Sequence, residues 1–274
     1  MRNKKLIDKE IDAFYSETSE VTRLEVGLGP LEFERNKELI QRFLPKKKNR
    51  ILDVGGGPGV YAEWLSKLDN EVYLIDPVEK HIEEAKKRSG KMKNKFTALL
   101  GEARNLDFPD RFADVVILHG PLYHLQKRTE RLDCLKETKR VLKPGGTVLG
   151  FAINYTASTM VALLQGVMHQ NVFFQMCKKE LLTGMHQAPG NMPGILPKAF
   201  YHRQEELKEE IEKAGFKYLD TFAVEGMIWL DKNYFDSRSD TTKKKRMMEL
   251  LRSTECDKNL LSVSPHLMIA AKKK

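Results

Sequence analysis

Short apolar runs alternate with amphipathic stretches along most of the chain, and this pattern predicts strands and helices in turn. Strands are predicted at 51–54, 71–76, 96–100, 111–120, 218–224 and 266–271, with one more directly after residue 146. Helices are predicted, from apolar residues at helical spacing, within 1–44 and at 60–68, 78–88, 129–142, 205–214 and 243–251. Strands that alternate with helices favour an α/β domain built on a mostly parallel sheet.

The alternation breaks between residues 155 and 202. This segment is rich in apolar residues, holds five of the eleven methionines, and ends in a turn-rich stretch at 184–194. An apolar insert here is placed to cover the carboxyl edge of the sheet, and methionines suit an adaptable pocket wall. We therefore predict a helical lid or substrate-pocket insert at 155–202, with a dimer interface as the alternative.

The segment before the first strand predicts a further unit. It carries two apolar helical stripes, separated by a polar stretch that contains Tyr15 and Arg23, and it ends at Pro45. We predict an N-terminal helical flap over the ligand at 1–45, with a plain connector as the alternative. The remaining residues, 46–154 and 203–274, form the predicted ligand-binding domain.

A glycine-dense loop follows the first predicted strand. Four of five positions are glycine: Gly55, Gly56, Gly57 and Gly59. That density is entropically unfavourable unless the backbone must turn sharply or approach a ligand closely. Asp53, just before the loop, suits a ligand with an ammonium group and is poorly placed for a pyrophosphate. Residues 57–62 also fit the dinucleotide fingerprint G-x-G-x-x-G/A, so both ligand classes stay open at this point.

Asp76 ends the second predicted strand, about 20 residues past the glycines. An acid at this tip can accept hydrogen bonds from both hydroxyls of a ribose. It therefore indicates a nucleoside ligand without choosing between the two classes. Its alternative role is to cap the helix predicted at 78–88.

Four motifs, in this order, resemble those of the class I S-adenosylmethionine (SAM)-dependent methyltransferases of the small-molecule type. They are Asp53-x-Gly-x-Gly-x-Gly59, Asp76, Gly101-Glu-Ala103 and Lys143-Pro-Gly-Gly146. The resemblance implies a Rossmann-like, seven-stranded, mostly parallel sheet of order 3-2-1-4-5-7-6, with the last strand antiparallel and helices on both faces. It also implies that 46–154 and 203–274 form the SAM-binding methyltransferase domain.

The resemblance makes SAM the expected cofactor and S-adenosyl-L-homocysteine its product. Asp53 and Gly55 would face the methionine half, Asp76 the ribose, and Glu102 the amine of the adenine. The full set of expected cofactor-binding residues is Asp53, Gly55, Gly57, Gly59, Asp76, Pro77, Glu102, Ala103 and Leu118, joined by Tyr15 and Arg23 from the predicted flap.

The fourth predicted strand ends in His119-Gly-Pro-Leu-Tyr-His124. Ligands bind beyond the carboxyl ends of the strands in open parallel sheets, so His119, Tyr123 and His124 are candidate catalytic residues. The segment departs from the Asn/Asp/Ser-Pro-Pro-Tyr/Phe of enzymes that methylate exocyclic amines, which argues against base N-methylation. Either histidine would serve as a general base, with Tyr123 orienting the acceptor; a structural role is the alternative for each histidine.

Composition limits the possible substrates and the cellular location of the protein. The net charge of +9 suits an anionic substrate or RNA, but the basic residues lie in short, scattered runs typical of solvated surfaces. No apolar run is long enough to predict a membrane span. The three cysteines, Cys134, Cys177 and Cys256, lie far apart in the chain, so neither a disulfide framework nor a metal site is expected. We therefore expect a cytoplasmic location.

The sequence thus predicts a methyltransferase that moves a methyl group from SAM to a small, partly apolar acceptor, at O, N, S or C, by in-line displacement. An RNA-directed methyltransferase, an NAD(P)-binding Rossmann oxidoreductase and a nucleotide-binding regulator without transfer chemistry are the alternatives. The expected partner is a small-molecule acceptor rather than a nucleic acid, and the chain is expected to be a monomer or homodimer.

Overall fold

A seven-stranded sheet forms the centre of the protein. The computed structural model describes residues 7–18, 20–46, 48–190 and 195–274. The strands are β1 Arg50–Val54, β2 Glu71–Asp76, β3 Thr97–Leu100, β4 Ala113–Leu118, β5 Leu142–Ile153, β6 Met185–Gln187, β7 Lys198–Phe200, β8 Phe216–Ala223 and β9 His266–Lys273. The large sheet has the order β3-β2-β1-β4-β5-β9-β8, and β6 pairs with β7 in a separate small sheet.

The direction of the strands brings their ends to one edge. Strands β1 to β5 pair in parallel, whereas β9 is antiparallel to both β5 and β8. Among the strands of the large sheet this is the order 3-2-1-4-5-7-6 with a reversed last strand, which confirms the prediction. Ile153, at the carboxyl end of β5, lies opposite His266, the first residue of β9. His266 therefore joins the edge at which the parallel strands end.

Helices cover both faces of the sheet. They are α1 Lys9–Glu17, α2 Glu20–Arg23, α3 Gly29–Phe43, α4 Val60–Lys67, α5 Glu79–Gly90, α6 Pro121–His124, α7 Arg128–Val141, α8 Ala157–Leu164, α9 Asn171–Thr183, α10 Gln204–Lys213, α11 Tyr234–Ser237 and α12 Thr241–Thr254. Short 3₁₀ turns occupy Ile228–Leu230 and Leu261–Val263. Among the helices of the described ranges, none is long and apolar enough to cross a membrane.

Alternation along the strands separates two hydrophobic cores. Leu52 and Val54 of β1 pack with residues of α7 and α10, whereas Ile51 packs with residues of α3, α4 and α5. Successive side chains of a strand point to opposite faces, so a strand that is apolar at almost every position is buried on both sides.

The structure adds features that the pattern did not predict. The helical region predicted within 1–44 consists of α1, α2 and α3, and its first six residues lie outside the described chain, as do residues 19 and 47. The insert contains β6 and β7, whose three residues each are too few to show alternation. Residues 191–194 of the predicted turn-rich stretch also lie outside the described part.

Gly59 provides a test of the packing behind the glycine loop. It has φ +84°, and a Cβ there would lie 2.8 Å from Cζ of the buried Phe96 ring. We expect Gly59→Ala to lower the free energy of unfolding by ~1–3 kcal/mol, from backbone strain and overpacking. Gly90→Ala is the matched control, since a Cβ there meets nothing within 4 Å. Equal urea midpoints for the two variants would contradict this account.

Candidate cofactor and acceptor site

A cavity of about 910 Å³ opens at the carboxyl edge of the sheet. Residues at the ends of β1, β2, β4 and β5 line its floor, and residues of α1, α3, α8 and α9 line its walls. Sites for drug-sized ligands have volumes of ~300–1,000 Å³. The cavity therefore has room for a nucleoside and a second small molecule together.

The glycine loop presents its backbone to this cavity. The Gly57 N–H donates to Asp76 Oδ2 over 2.9 Å, and the Gly55 N–H donates to the Ile75 carbonyl over 2.7 Å. A Cβ at Gly57 would meet only His81 Nδ1, at 4.0 Å, so this part of the loop is open. Gly59 caps α4 instead and does not line the cavity. Its place in the sequence motif is explained by the Phe96 ring behind it.

The Asp76 carboxylate lines the cavity and already accepts hydrogen bonds from other residues of the protein. Besides the bond from Gly57, its Oδ1 accepts from the Val78 N–H at 3.0 Å and lies 3.1 Å from His81 Nδ1. A carboxylate offers about four lone-pair positions. Three are used, so Asp76 has room for one further hydrogen bond rather than the two expected for a ribose.

Glu102 and Ala103 lie side by side on the cavity wall, with Pro77 nearby. Arg104 holds Glu102 through Oε2, with an Nε distance of 2.6 Å, and extends to Glu130 at 3.0 Å. Because both hydrogen bonds from Arg104 use Oε2, the Oε1 atom is the one left to accept from a ligand. The small side chain of Ala103 leaves room beside it.

His119 is clamped by aromatic rings. It stacks on Tyr61 at 4.2 Å and on Phe151 at 4.7 Å, and its Nδ1 lies 2.8 Å from Asp53 Oδ1. A carboxylate can only accept, so Nδ1 donates and the neutral ring keeps its lone pair on Nε2. Asp53 is fully buried and does not line the cavity, so its carboxylate contacts His119 rather than the cavity.

Leu118 does not reach the cavity either. Its side chain is fully buried and packs in the core on the α7 and α10 face. A strand alternates its side chains, so the residue beside His119 points into the sheet packing while His119 points to the cavity.

Tyr15 of α1 bonds to His124 of α6. The Tyr15 hydroxyl lies 2.9 Å from His124 Nε2, and its ring packs edge-on against His81 at 5.2 Å. Burial lowers the pKa of His124 to about 4, so this ring is neutral at physiological pH. Tyr123 also lines the cavity, with its ring 4.5 Å from that of His124.

A buried ion pair holds the backbone that follows α6. Arg131 lies 2.7 Å from Glu210 and donates to the carbonyls of Leu125 and Gln126. Burial opposes ionisation of Glu210, but His202 and Arg131 lower its pKa to about 2. A fully paired buried charge of this kind fixes the backbone just after His124.

A second ionic cluster lines the cavity near α3. Arg23 binds both oxygens of Glu32, at 2.6 and 3.1 Å, and His266 Nδ1 lies 2.6 Å from the buried Glu225. Burial opposes the charge on His266, but Glu225 and Glu32 raise its pKa to about 9. Burial likewise opposes ionisation of Glu32, yet Arg23 and His266 lower its pKa to about 2.

This cluster was not predicted, and it also brings potential metal ligands together. The ligand atoms of Glu32, Glu225 and His266 lie within 4.8 Å of one another. Their positions are far apart in the chain and follow no metal-binding spacing, so sequence patterns could not reveal them. Arg23 and the paired protonated imidazole satisfy both carboxylates, so the cluster is a network of ion pairs.

Helix α1 is tied down across the cavity at both ends. Lys198 of β7 lies 2.7 Å from Asp8 and 3.3 Å from Glu10, and Lys80 donates to the carbonyls of Ser16 and Thr18. A cation at the C-terminal end of a helix also interacts favourably with the helix dipole. Helix α1 and the insert are thereby joined to each other and to α5.

Several polar atoms around the cavity fit a polar ligand. Among the buried side-chain atoms without a hydrogen-bond partner in the described part of the chain, four belong to residues that line the cavity: Asn36 Oδ1, His81 Nε2, His119 Nε2 and His124 Nδ1. Buried polar groups are normally satisfied, so these four atoms fit a site that binds a molecule with hydroxyl and amine groups. His81 was missed from the sequence; its position in the first turns of the helix after Asp76 was the available signal.

Comparison with known proteins points to one class. A family model described as a methyltransferase domain matches residues 52–150. An uncharacterized methyltransferase of Schizosaccharomyces pombe is 38% identical over 112 residues, which is 38% of this chain and 39% of that protein. A demethylmenaquinone methyltransferase of Staphylococcus aureus is 29% identical over 198 residues, covering 68% of this chain and 77% of that protein.

Solved structures agree on the fold. A protein of Pyrococcus horikoshii has a TM-score of 0.64 at 17% identity, covering 96% of this chain and 99% of that one. A SAM-dependent methyltransferase of Methanosarcina mazei has a TM-score of 0.59 at 18% identity, covering 86% and 96%. The matched domain, the reversed last strand and the glycine loop together support a class I SAM-dependent methyltransferase, and the matched family and the fold imply that it binds SAM.

The His266–Glu225 pair predicts a pH-dependent contribution to stability. The pKa of His266 is higher in the folded chain, about 9, than its ordinary value of 6.5, so the stabilisation is complete below pH 6.5 and lost as pH rises through about 9. The Glu225→Gln variant should have a lower free energy of unfolding than wild type, and this loss should be on the order of 2 kcal/mol larger at pH 6 than at pH 10. Urea denaturation across this range measures the difference. A difference that does not vary with pH would contradict the ion pair.

Proposed function

We propose that this methyltransferase transfers the methyl group of SAM to a small, partly apolar acceptor bound in the same cavity. The observation that carries the proposal is the mixed lining of the cavity, which combines polar groups with apolar side chains. The polar groups are those of the glycine loop, Asp76 and Glu102, and we assign them to a polar side that binds the cofactor. The apolar side chains come from α1 and the insert and include Ile11, Phe14, Val161, Phe173 and Met176, and we assign them to an acceptor side.

On the polar side, each part of the cofactor has a partner of suitable chemistry. Asp76 accepts one ribose hydroxyl, and His81 Nε2, buried and unpaired among the described residues, accepts the other. Glu102 Oε1 accepts from the adenine amine, and Ala103 leaves space for the ring. Arg23 and Tyr15 also line the cavity, and this supports the proposal that they contact the cofactor from the flap.

The ties on α1 support the roles of flap and lid. Residues 1–45 would act as the flap and the insert at 155–202 as the lid, since both contribute walls to the cavity and are joined through Lys198. A closed wall excludes water from the reacting groups and fixes their approach.

The acceptor side favours an apolar ring. Aromatic and methionine side chains there can pack against a flat apolar molecule. The Staphylococcus aureus relative is named for demethylmenaquinone as its acceptor. That name supports acceptors of the quinone type as the first class to examine for this chain.

The chain's main task in the reaction is alignment. Bound SAM supplies a methyl group on a positively charged sulfur, which departs as a neutral thioether. Proximity and orientation alone account for ~7–11 kcal/mol of a barrier in favourable cases. The clamp of Tyr61 and Phe151 around His119 provides a rigid wall for that purpose.

His119 is better suited than His124 to remove a proton from the acceptor. Asp53 fixes the tautomer of His119 and leaves the Nε2 lone pair unshared among the described residues. If the Tyr15 hydroxyl donates to His124 Nε2, as hydroxyls do to neutral imidazoles, His124 presents Nδ1–H as a donor. We assign His119 as the base, His124 as a donor and Tyr123 as an orienting residue.

The cofactor is tested by thermal unfolding with SAM, S-adenosylhomocysteine, NAD and NADP. At about 100 times Kd, ligand linkage predicts ~2.7 kcal/mol of stabilisation. We expect a raised Tm with the two sulfur-containing ligands alone. A rise with NAD or NADP alone would mean that residues 57–62 form a dinucleotide site and would overturn the proposal.

The roles of the histidines are tested by single and double variants. His119→Asn keeps an amide that can donate to Asp53 but lacks a basic nitrogen, so kcat should fall by ~10²–10⁴ with an acceptor that must lose a proton. His124→Phe should raise KM more than it lowers kcat. S-adenosylhomocysteine release from quinols, other ring hydroxyl compounds and RNA provides the assay. A double variant with nearly unchanged kcat would contradict these roles, and turnover with RNA alone would contradict the small acceptor.

A further inference from the structure

The tip of the insert differs from the rest of the chain in charge. Residues 156–177 contain no Asp, Glu, Lys or Arg, although 31% of the chain is charged. This stretch spans α8, the connection to α9 and the first half of α9. Such a gap in charge is unusual for a segment that faces solvent.

The same segment exposes apolar side chains. Of the eleven large apolar side chains that the described residues expose, five lie within twenty positions of the insert. They are Leu163, 60% exposed, Leu164, 57%, Val172, 43%, Phe174, 45%, and Leu182, 71%. We call these five residues the insert patch. Apolar side chains gathered in this way mark a surface that meets a partner.

Basic residues border the patch. Lys178 and Lys179 are exposed on α9, and Phe174, Lys178 and Leu182 follow one another at helical spacing on one face. The acid on this helix, Glu180, is buried and lies 2.6 Å from His186, so it does not offset the lysines at the surface. The surface therefore combines leucine, valine and phenylalanine with a lysine border.

This combination fits a lipid surface better than a protein. Interfacial helices present Leu and Phe to the acyl boundary and Lys to anionic headgroups. The cores of protein interfaces also favour aromatic side chains, but they are depleted in Lys. We propose that the insert patch docks on the surface of a bilayer that contains anionic lipids, without crossing it.

The patch also lies next to the cavity wall. Val161, Gln165, Val167 and Phe173 belong to the same hairpin and line the cavity. Docking would therefore place a lipid-soluble acceptor close to the site of transfer. That consequence rests on the proposed function, whereas the docking itself does not.

Vesicle flotation tests the docking without any transfer reaction. The probes are vesicles of phosphatidylcholine alone and of phosphatidylcholine with about a third phosphatidylglycerol. Wild type should float with the anionic vesicles, and Leu163→Gln/Leu164→Gln should lower its partitioning at least about tenfold. Lys178→Gln/Lys179→Gln should remove the preference for anionic vesicles over neutral ones.

The control variant replaces two exposed leucines that lie outside the insert. Leu68 and Leu250 are 42% and 61% exposed, so Leu68→Gln/Leu250→Gln should bind like wild type. A Tm close to that of wild type, measured without ligand, shows that each variant is folded. The proposal is overturned if wild type fails to float with either kind of vesicle. It is also overturned if Leu163→Gln/Leu164→Gln and the control variant bind anionic vesicles equally. If wild type forms a dimer that does not bind vesicles, and Leu163→Gln/Leu164→Gln dissociates this dimer, the insert patch would instead bind a second copy of this chain.

Discussion

The site depends on a backbone turn that leaves no space for a side chain at Gly55 or Gly56. Between β1 and α4 the chain passes so close to its neighbours that a Cβ at Gly56 would lie 2.6 Å from Asp53 Oδ2, and one at Gly55 would lie 3.0 Å from the Gly120 nitrogen. Both distances are shorter than ordinary contact. This close approach brings the end of β4 against the loop and so sets His119 beside the cavity.

The same turn is fixed by hydrogen bonds that leave capacity for a ligand. Asp76 binds the loop through Gly57, and Asp53 holds His119 from behind. The Asp76 carboxylate thereby fixes the loop and keeps one position for a ligand, and the Asp53 carboxylate fixes His119, whose Nε2 atom is unpaired among the described residues. Preorganised groups of this kind need little rearrangement when a ligand binds.

The sheet and the principal motifs could be predicted because local pattern determines them. Glu71–Asp76 has the strand bounds that its apolar run predicts, and the order of the large sheet follows from the family resemblance. The His266–Glu225–Glu32 cluster could not be predicted, since it unites residues of β9, the connection after β8, and α3. Gly59 and Leu118 show a second limit of prediction from sequence. A position in a motif does not reveal whether its residue faces a ligand or the core.

The account divides one cavity between a nucleoside cofactor and an apolar acceptor, and a crystal structure with S-adenosylhomocysteine tests this most directly. We expect the ribose beside Asp76 and His81, the adenine beside Glu102 and Ala103, and the sulfur facing the side of the cavity that holds His119 and Tyr123. Adenosylhomocysteine that instead fills the apolar side between α1 and the insert would contradict the account.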